Sequence, residues 1–350
     1  MSEVSVNRPD VGKGSSWLTA AGVSALAVLA ARHLIKRRDQ PLVKLRDKVV
    51  LVTGGSRGLG LAIAREFGRQ GARVALCARD DEELRKACEK LAAEGIEAVS
   101  FPADITDAAN IEPLVSSVIS RLGSLDVLVN NAGRISVGPF DSFTHADFEE
   151  AMNLMFWAPV NLTLAALPHM KGRSGHIINI TSVGGRVSVP HLLPYSCAKF
   201  AFVGFSTGLS AEAHSKNIRV LTVVPGLMRT GSYLNAEFQG DAKHEFAWFG
   251  LLGNLPGLSV AAEYAAERIR ESFESGHKMC TISLPAKILI ACEALAPEAT
   301  RTAFGLMTDY FLPSSSTKQT QRGKVLNPAL NALFQGLTAL GRRAAHQWNE

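Results

Sequence analysis

The sequence predicts a doubly wound α/β fold, a parallel sheet of about seven strands with helices on both faces. Short apolar runs alternate with helical patterns between residues 48 and 284, as a parallel sheet with crossover helices requires. The first run, Val49-Val50-Leu51-Val52, is apolar throughout, which marks a strand buried on both sides. The chain has 350 residues, 47% of them hydrophobic. That suffices for one such domain of about 250 residues with extensions at both ends.

The elements follow in order. Val49 to Val52 forms the first strand, glycines at 54, 58 and 60 a tight turn, and Leu61 to Phe67 a helix. Arg73 to Cys77 reads as the second strand. A charged helix then runs from about Asp80 to Ala93 and ends at Gly95. Ala98 to Phe101 is the third strand, and a helix through Leu114, Val115, Val118 and Ile119 leads to Val127-Leu128-Val129. A long helix spans roughly Thr144 to Leu167, with a kink expected at Pro159, which lacks a backbone N–H. His176 to Ile180 is the fifth strand, Pro194 to about Lys216 a helix, Arg219 to Val224 the sixth strand and Thr281 to Leu284 the seventh. Thr53, Asn130, Ser182 and Pro225 stand just past strand ends. Ligands gather at the carboxyl ends of such strands, so the four point to one site.

Two groups of residues carry chemistry. In Thr53-Gly54-Gly55-Ser56-Arg57-Gly58-Leu59-Gly60 the glycines permit a tight turn and close backbone approach. The helix that follows offers N-terminal amides and a favourable dipole to a pyrophosphate. Tyr195 and Lys199 are four residues apart, so a helix projects both from one face. A nearby ammonium favours phenolate, and the tyrosine pKa is expected to fall from about 10. The Ser182 hydroxyl could then hold a carbonyl or alcohol oxygen against the phenol.

Thr53-Gly54-x-x-x-Gly58-x-Gly60, Asn130-Asn131-Ala132-Gly133, Ser182, Tyr195-x-x-x-Lys199 and Pro225-Gly226-x-x-x-Thr230 occur in this order from about Lys48 to Leu284. In them the chain resembles the short-chain dehydrogenases/reductases. The resemblance implies a Rossmann-type domain, here residues 41–285, and hydride transfer between a nicotinamide cofactor and a carbonyl or alcohol. It gives Tyr195 the role of acid/base and Lys199 that of lowering its pKa while bonding the nicotinamide ribose. Ser182 orients the substrate oxygen. Asn153 supports a proton-relay water, unless it merely satisfies a helix kink. The resemblance assigns the phosphates to Gly54, Ser56, Gly58, Leu59 and Gly60, and the rest of the cofactor to Asn130, Ala132, Gly133, Pro225, Gly226 and Thr230. Asp104 is either an adenine contact or the cap of its own turn. The second strand ends in Ala78-Arg79, where an NAD site usually places a carboxylate. With Arg57 in the glycine turn, Arg79 implies NADP(H), through pairing with a 2′-phosphate; otherwise both arginines are simply solvated.

The net charge of +5 is local. Residues 32–48 hold seven Lys and Arg against two Asp, which accounts for all of it. That argues against a nucleic-acid binder. The basic segment follows an apolar one, Trp17 to Ala31. As a helix, 15 residues reach about 22 Å, against a hydrocarbon core of about 30 Å. Extension to Ile35 brings Arg32 and His33 near the boundary, where long side chains snorkel, so residues 1–40 are expected to anchor the protein on a membrane with the catalytic domain in the cytoplasm; a helix packed on protein is the other reading. The five cysteines lack metal-ligand spacing and read as reduced thiols, with no metal site. Residues 232–258 form a substrate loop with Phe238, Phe246, Trp248, Phe249, Leu251, Leu252 and Leu255, which either face a lipophilic substrate or pack the loop itself. Residues 286–350 form a helical extension, with Leu330, Leu333, Phe334, Leu337 and Leu340 at helical spacing. These features resemble membrane-associated family members that act on steroids, retinoids or acyl lipids. Family analogy implies a homo-oligomer. A non-catalytic NADP(H)-binding scaffold is the alternative, against which the complete set Asn153, Ser182, Tyr195 and Lys199 weighs.

Overall fold

Val49 to Thr53 and the strand beside it, Arg73 to Ala78, have almost no exposed side chain, because both faces of the sheet are covered. The computed structural model describes residues 43–350 except 171, 173, 316 and 328–331, so the apolar segment Trp17 to Ala31 and its basic flank as far as residue 42 lie outside it. The sheet has seven strands: β1 (Val49–Thr53), β2 (Arg73–Ala78), β3 (Ala98–Pro102), β4 (Val127–Asn130), β5 (Gly175–Ile180), β6 (Ile218–Pro225) and β7 (Met279–Ile282). All pairings are parallel, in the order β7-β6-β5-β4-β1-β2-β3. Alternation along β1 divides the core. Val50 and Val52 pack with α1 (Gly58–Arg69) and α2 (Asp81–Ala92), whereas Val49 and Leu51 pack with α3 (Ile111–Leu122). Helices thus cover both faces, as the apolar strands anticipate.

The long helix expected over 144–167 is three pieces: α4 (His145–Met152), a π-helical turn Asn153–Trp157, and α5 (Ala158–Met170). The widened turn immediately precedes Pro159. Its ring would crowd the carbonyl four residues earlier, and it donates no hydrogen bond. The proline's disturbance therefore falls one turn ahead of its own position. The seventh strand begins and ends two residues earlier than the sequence suggests. Ser283 takes a φ of 80°, which stops the strand, and its hydroxyl accepts from Ala286 N–H at the start of the next helix.

Further helices are α6 (Leu193–Glu212), α7 (Ala242–Asn254), α8 (Ala262–Glu274), α9 (Leu284–Leu295), α10 (Pro297–Phe311), α11 (Ala332–Leu337) and α12 (Ala339–Gln347). Residues 43–350 form one compact unit. Of the expected stripe near the end, Leu330 and the Leu333 side chain lie outside what the structure describes, and Phe334, Leu337 and Leu340 do not share one buried face. The helix breaks at Thr338, Leu337 and Leu340 are largely exposed, and Phe334, Gly341, Ala345 and Trp348 are buried instead. No helix among the described residues is long and apolar enough to cross a membrane.

The end of the sheet opposite the site, where β1 and β4 begin, is fastened by Asp126. Its carboxylate accepts from Val49 N–H at 3.0 Å, the Ser124 hydroxyl at 2.9 Å and Lys48 Nζ at 3.1 Å. These donors hold it below the ordinary carboxylate range despite partial burial, which acts the other way. A lowered carboxylate pKa stabilises the fold above the unfolded value, and that stability is lost as pH falls through the folded one. Asp126→Asn should therefore cost about 1 kcal/mol at pH 7, after allowance for solvent screening. Its Tm difference from wild type should shrink as acid protonates the native carboxyl. A constant difference across the acid range would contradict the assignment.

Candidate active site

The strand order reverses between β1 and β4, which opens a crevice at their carboxyl ends. Thr53 closes its floor. Its Oγ1 accepts from Asn131 N–H at 2.9 Å and Ala132 N–H at 3.1 Å, and donates to the Val129 carbonyl at 3.3 Å. Asn131 Nδ2 donates in turn to the carbonyls of Thr53 and Gly54. Gly54 has a φ of 62° and Gly58 of 56°, the left-handed region that favours glycine. A side chain at Gly60 would collide with the Gly54 carbonyl, so the turn closes only without a Cβ. Helix α1 begins here with no side-chain cap on its first amides. A helix N-terminus without a side-chain cap beside a glycine turn fits a dinucleotide's phosphates.

The expected cofactor residues are redistributed in detail. Asn130 lies buried beneath the crevice, donating to Thr163 Oγ1 at 3.1 Å and Asn179 Oδ1 at 2.9 Å. That network continues through Ser206 to Thr222, so Asn130 braces strands and Asn131 supports the turn. The sequence marks Thr53 and Asn130 as strand-end residues; the structure adds Asn131, which the doublet contains but to which the sequence alone gives no role. Asn131 lies inside the quoted motif one residue past the end of β4, so the strand-end rule that marks Asn130 could have found it as well. Asp104 accepts from Thr106 N–H at 3.0 Å and its hydroxyl at 2.7 Å, so it caps its own turn, the second of the two readings. Arg57 is not a free cation, because it pairs with Glu83 at 3.1 Å, and the Ser56 hydroxyl donates to the same carboxylate. Arg79 is exposed at the end of β2, near enough to Asp104 to help keep its carboxyl low. Leu59 is buried against the core, and a Cβ on Gly133 would stand 3.6 Å from Met155 Sδ. Gly226 follows Pro225 at the end of β6 and approaches Ser283 too closely for a side chain. Thr230 is buried beside the glycine turn, where its hydroxyl accepts from Ser232 N–H at 3.1 Å.

Ser182, Tyr195 and Lys199 converge at the ends of β5 and α6. Ser182 Oγ accepts from Gly184 N–H at 3.0 Å. A Cβ on Gly184 would stand 3.2 Å from the Tyr195 ring and 3.4 Å from Ser182 Oγ, which places phenol and hydroxyl around one small residue. Lys199 is 4% exposed, its ammonium 5.8 Å from the centre of the Tyr195 ring and 2.9 Å from the Ile180 carbonyl it donates to. The expected lowering of the tyrosine pKa is not found. Burial raises it, with only the Ser182 hydroxyl pulling the other way. Burial also brings Lys199 down to about 8. Desolvation penalises both charged forms, and it outweighs their mutual attraction here.

Asn153 opens the π-helical turn. Its carbonyl accepts from Ala158 N–H, while its side chain is exposed. Among the described residues no side-chain hydrogen bond joins it to Ser182, Tyr195 or Lys199. A small cavity beside Tyr195 is lined by Arg134, Ser136, Glu150, Ala151, Leu154 and Met155. Arg134 is held there by Glu150 and Glu237.

Residues 232–258 pack in part on the segment that follows β4. A short strand, Glu237–Phe238, pairs with Ser136–Val137 and with Gln321–Arg322, and α7 follows. Phe238, Phe246 and Phe249 are buried against Tyr233 and Phe334. They pack the loop rather than line a substrate channel, the second of the two readings. His191 Nδ1 lies 2.7 Å from Glu245 Oε1, and Trp248 Nε1 donates to Glu245 Oε2 at 2.6 Å. These buried contacts tie α7 to the loop that leads into α6, the helix that carries Tyr195.

Residues 48–238 match the family model of the short chain dehydrogenases. The chain is 36% identical over 242 residues to "Dehydrogenase/reductase SDR family member 7B" of Danio rerio, covering 67% of this chain and 77% of that protein. It is 38% identical over 189 residues to a "Fatty acyl-CoA reductase" of Acinetobacter baylyi, covering 53% of this chain and 64% of that one. A metagenomic short-chain oxidoreductase solved in complex with NADP superposes with a TM-score of 0.57 at 29% identity, over 69% of this chain and 99% of that chain. A seven-stranded parallel sheet, a glycine turn at the switch point and this extent of matching sequence place the chain in the short-chain dehydrogenase family of oxidoreductases, which act on carbonyl or alcohol groups with NAD(P).

Proposed function

We propose that this protein is an NADP(H)-dependent reductase of a lipophilic ketone, or the reverse alcohol dehydrogenase, with Ser182, Tyr195 and Lys199 as its reacting centre. The observation that carries the reading is the placement of the Ser182 hydroxyl and the Tyr195 phenol around Gly184, with Lys199 buried beside them. Bound NADPH supplies the hydride. The protein's task is to place a proton on the oxygen as charge develops there. Ser182 donates a hydrogen bond to the substrate oxygen and fixes it against the phenol. Tyr195, whose pKa burial raises, holds its proton at neutral pH and delivers it to that oxygen. The Lys199 ammonium, fixed by the Ile180 carbonyl, stabilises the phenolate left behind. Reduction is therefore the direction favoured near neutrality, and oxidation, which needs phenolate, gains as pH rises.

Arg79 supports NADP(H) over NAD(H), because an exposed guanidinium at the end of β2 suits a 2′-phosphate. Arg57 and Ser56 join it once Glu83 gives them up. A charge-assisted contact of this kind is worth about 1.5–3 kcal/mol. Arg79→Glu should accordingly cut the preference for NADPH over NADH by about 10–100-fold. Unchanged preference in paired kcat/KM measurements would remove Arg79 from the cofactor site.

The lipophilic substrate draws support from three features. One is the name of the Acinetobacter relative. Another is the apolar N-terminal sequence, which in this reading holds the protein on a membrane with its catalytic domain in the cytoplasm. The third is the exposed apolar side chains of α9 and α10, with Leu284, Leu295, Tyr310 and Phe311 each more than two-thirds exposed. Purified full-length protein assayed for NADPH consumption against steroid, retinoid and long-chain acyl ketones tests the reading. Turnover confined to small polar carbonyls would overturn the substrate class. NADPH binding without oxidation of any ketone in the panel would overturn the catalytic reading and favour a scaffold. The membrane part predicts carbonate-resistant association that disappears on deletion of residues 1–38.

A further inference from the structure

Residues 348–350 lie across the glycine turn. Gly58 N–H, the first amide of α1, donates to the Trp348 carbonyl at 2.8 Å. Asn349 Nδ2 donates to the Ser56 carbonyl at 3.3 Å. The Glu350 carboxylate fills the space beside Gly58 that a side chain there would need. It lies 3.8 Å from Arg57 and accepts from Asn235 Nδ2 at 2.5 Å. Burial pushes its carboxyl up to about 7, against the pull of Arg57, Asn235 and Lys324 and with a further push from Glu83. An anionic side chain thus occupies the helix N-terminus at which an anionic ligand is expected. On the far side, Trp348 is 2% exposed in the core of α1 and α8, with Arg65 over its ring at 5.6 Å. Lys90 on α2 donates to the Gln347 carbonyl and to Asn349 Oδ1, and Gln347 donates to Glu263 on α8.

The same segment reaches the substrate loop. Gly341 on α12 packs so closely on Asn254 of α7 that no side chain would fit between them. A Cβ on Gly231, next to Thr230, would stand 2.5 Å from Ala345 Cβ. Tyr233 packs near Phe246, which in turn meets Phe334 of α11.

We propose that residues 348–350 form an internal latch that occupies the dinucleotide phosphate cradle and must leave it before the cofactor binds. The latch rests on the reading that the glycine turn receives those phosphates. Glu350 and the Trp348 carbonyl use the groups that a pyrophosphate and a 2′-phosphate would use, namely Gly58 N–H and Arg57. The two states are therefore mutually exclusive. Ionised, the buried Glu350 carboxylate is poorly stabilised where it sits, so a ligand with more negative charge can displace it. Because α12 also clamps α7, its release couples arrival of the cofactor to loosening of the substrate loop.

Hydrogen–deuterium exchange on the full chain, with and without NADPH, tests this directly. NADPH should slow exchange across residues 54–60 and speed it across 342–350. If 54–60 become protected while 342–350 stay unchanged or slow further, the latch is wrong. If 54–60 gain no protection at saturating NADPH, the nucleotide reading fails and the latch fails with it. Titration of NADPH fluorescence gives a second measure. Since a closed latch reduces apparent affinity by the fraction of molecules that are open, Trp348→Ala should bind NADPH about tenfold more tightly. The milder Glu350→Ala, which empties the space beside Gly58 and keeps the Trp348 packing, should shift affinity in the same direction. Equal or weaker affinity in folded Glu350→Ala and Trp348→Ala would overturn the proposal.

Discussion

Tyr195→Phe should lower kcat for ketone reduction by about a thousandfold while leaving the Kd for NADPH within about twofold. The substitution removes one hydroxyl and keeps the ring that packs beside Gly184 and Leu192 at the start of α6, so the fold is expected to be intact. The loss follows from the proton balance. Hydride arriving at a carbonyl carbon leaves charge on the oxygen, and among the three converging side chains only Tyr195 can give up its proton with a cation beside it. Stopped-flow reduction and equilibrium nucleotide titration measure the two quantities. A fall of less than tenfold would transfer the acid/base role to another group. Equal losses of turnover and NADPH binding would show that Tyr195 holds the cofactor rather than reacting.

Lys199→Met should separate activity from stability. Turnover is expected to fall by about 10²-fold, because the phenolate formed on Tyr195 loses its neighbouring cation. Yet the fold should become more stable at pH 7. Burial lowers the Lys199 pKa from 10.5 to about 8, so keeping the charge inside costs free energy at every pH below about 8. The sign is that of a buried base: the penalty is full below about 8 and is relieved as pH rises from there toward the unfolded value. The cost is on the order of 3 kcal/mol, less about 1 kcal/mol for the lost hydrogen bond to Ile180. A domain of this size should then gain roughly 4 °C in Tm at pH 7. The gain should fade above about pH 9. A lower Tm for the methionine variant at pH 7 would mean that the ammonium is stabilised by more than the Ile180 carbonyl.

The contrast between these two variants bears on how the site was legible. Spacing in the sequence puts Tyr195 and Lys199 on one helix face, and that holds in α6. The direction of the tyrosine pKa was not legible, because it depends on how much water the fold removes. Desolvation is a property of every element around the residue. The sequence identifies a charge partner four residues away but cannot weigh it against burial by β5, α6 and the loop at Gly184. Arg57 shows the same limit. A cation in the turn is visible at once, whereas its pairing with Glu83 and Glu350 comes from α2 and from a segment nearly 300 residues away.

What the sequence by itself determined is the part governed by local physics. Apolar runs specify buried strands, glycines at 54, 58 and 60 specify a turn only glycine can make, and their alternation with helices specifies the seven-stranded parallel sheet. Strand ends then place Thr53, Asn130, Ser182 and Pro225 near one crevice without reference to any contact. What only the tertiary structure decided is which side chain is used for what. Asn131 rather than Asn130 supports the turn, the aromatic residues of 232–258 pack inward, and residues 348–350 cover the cradle. Each of these depends on groups far apart in the chain competing for the same hydrogen bonds and the same buried volume, and local sequence carries no record of that competition.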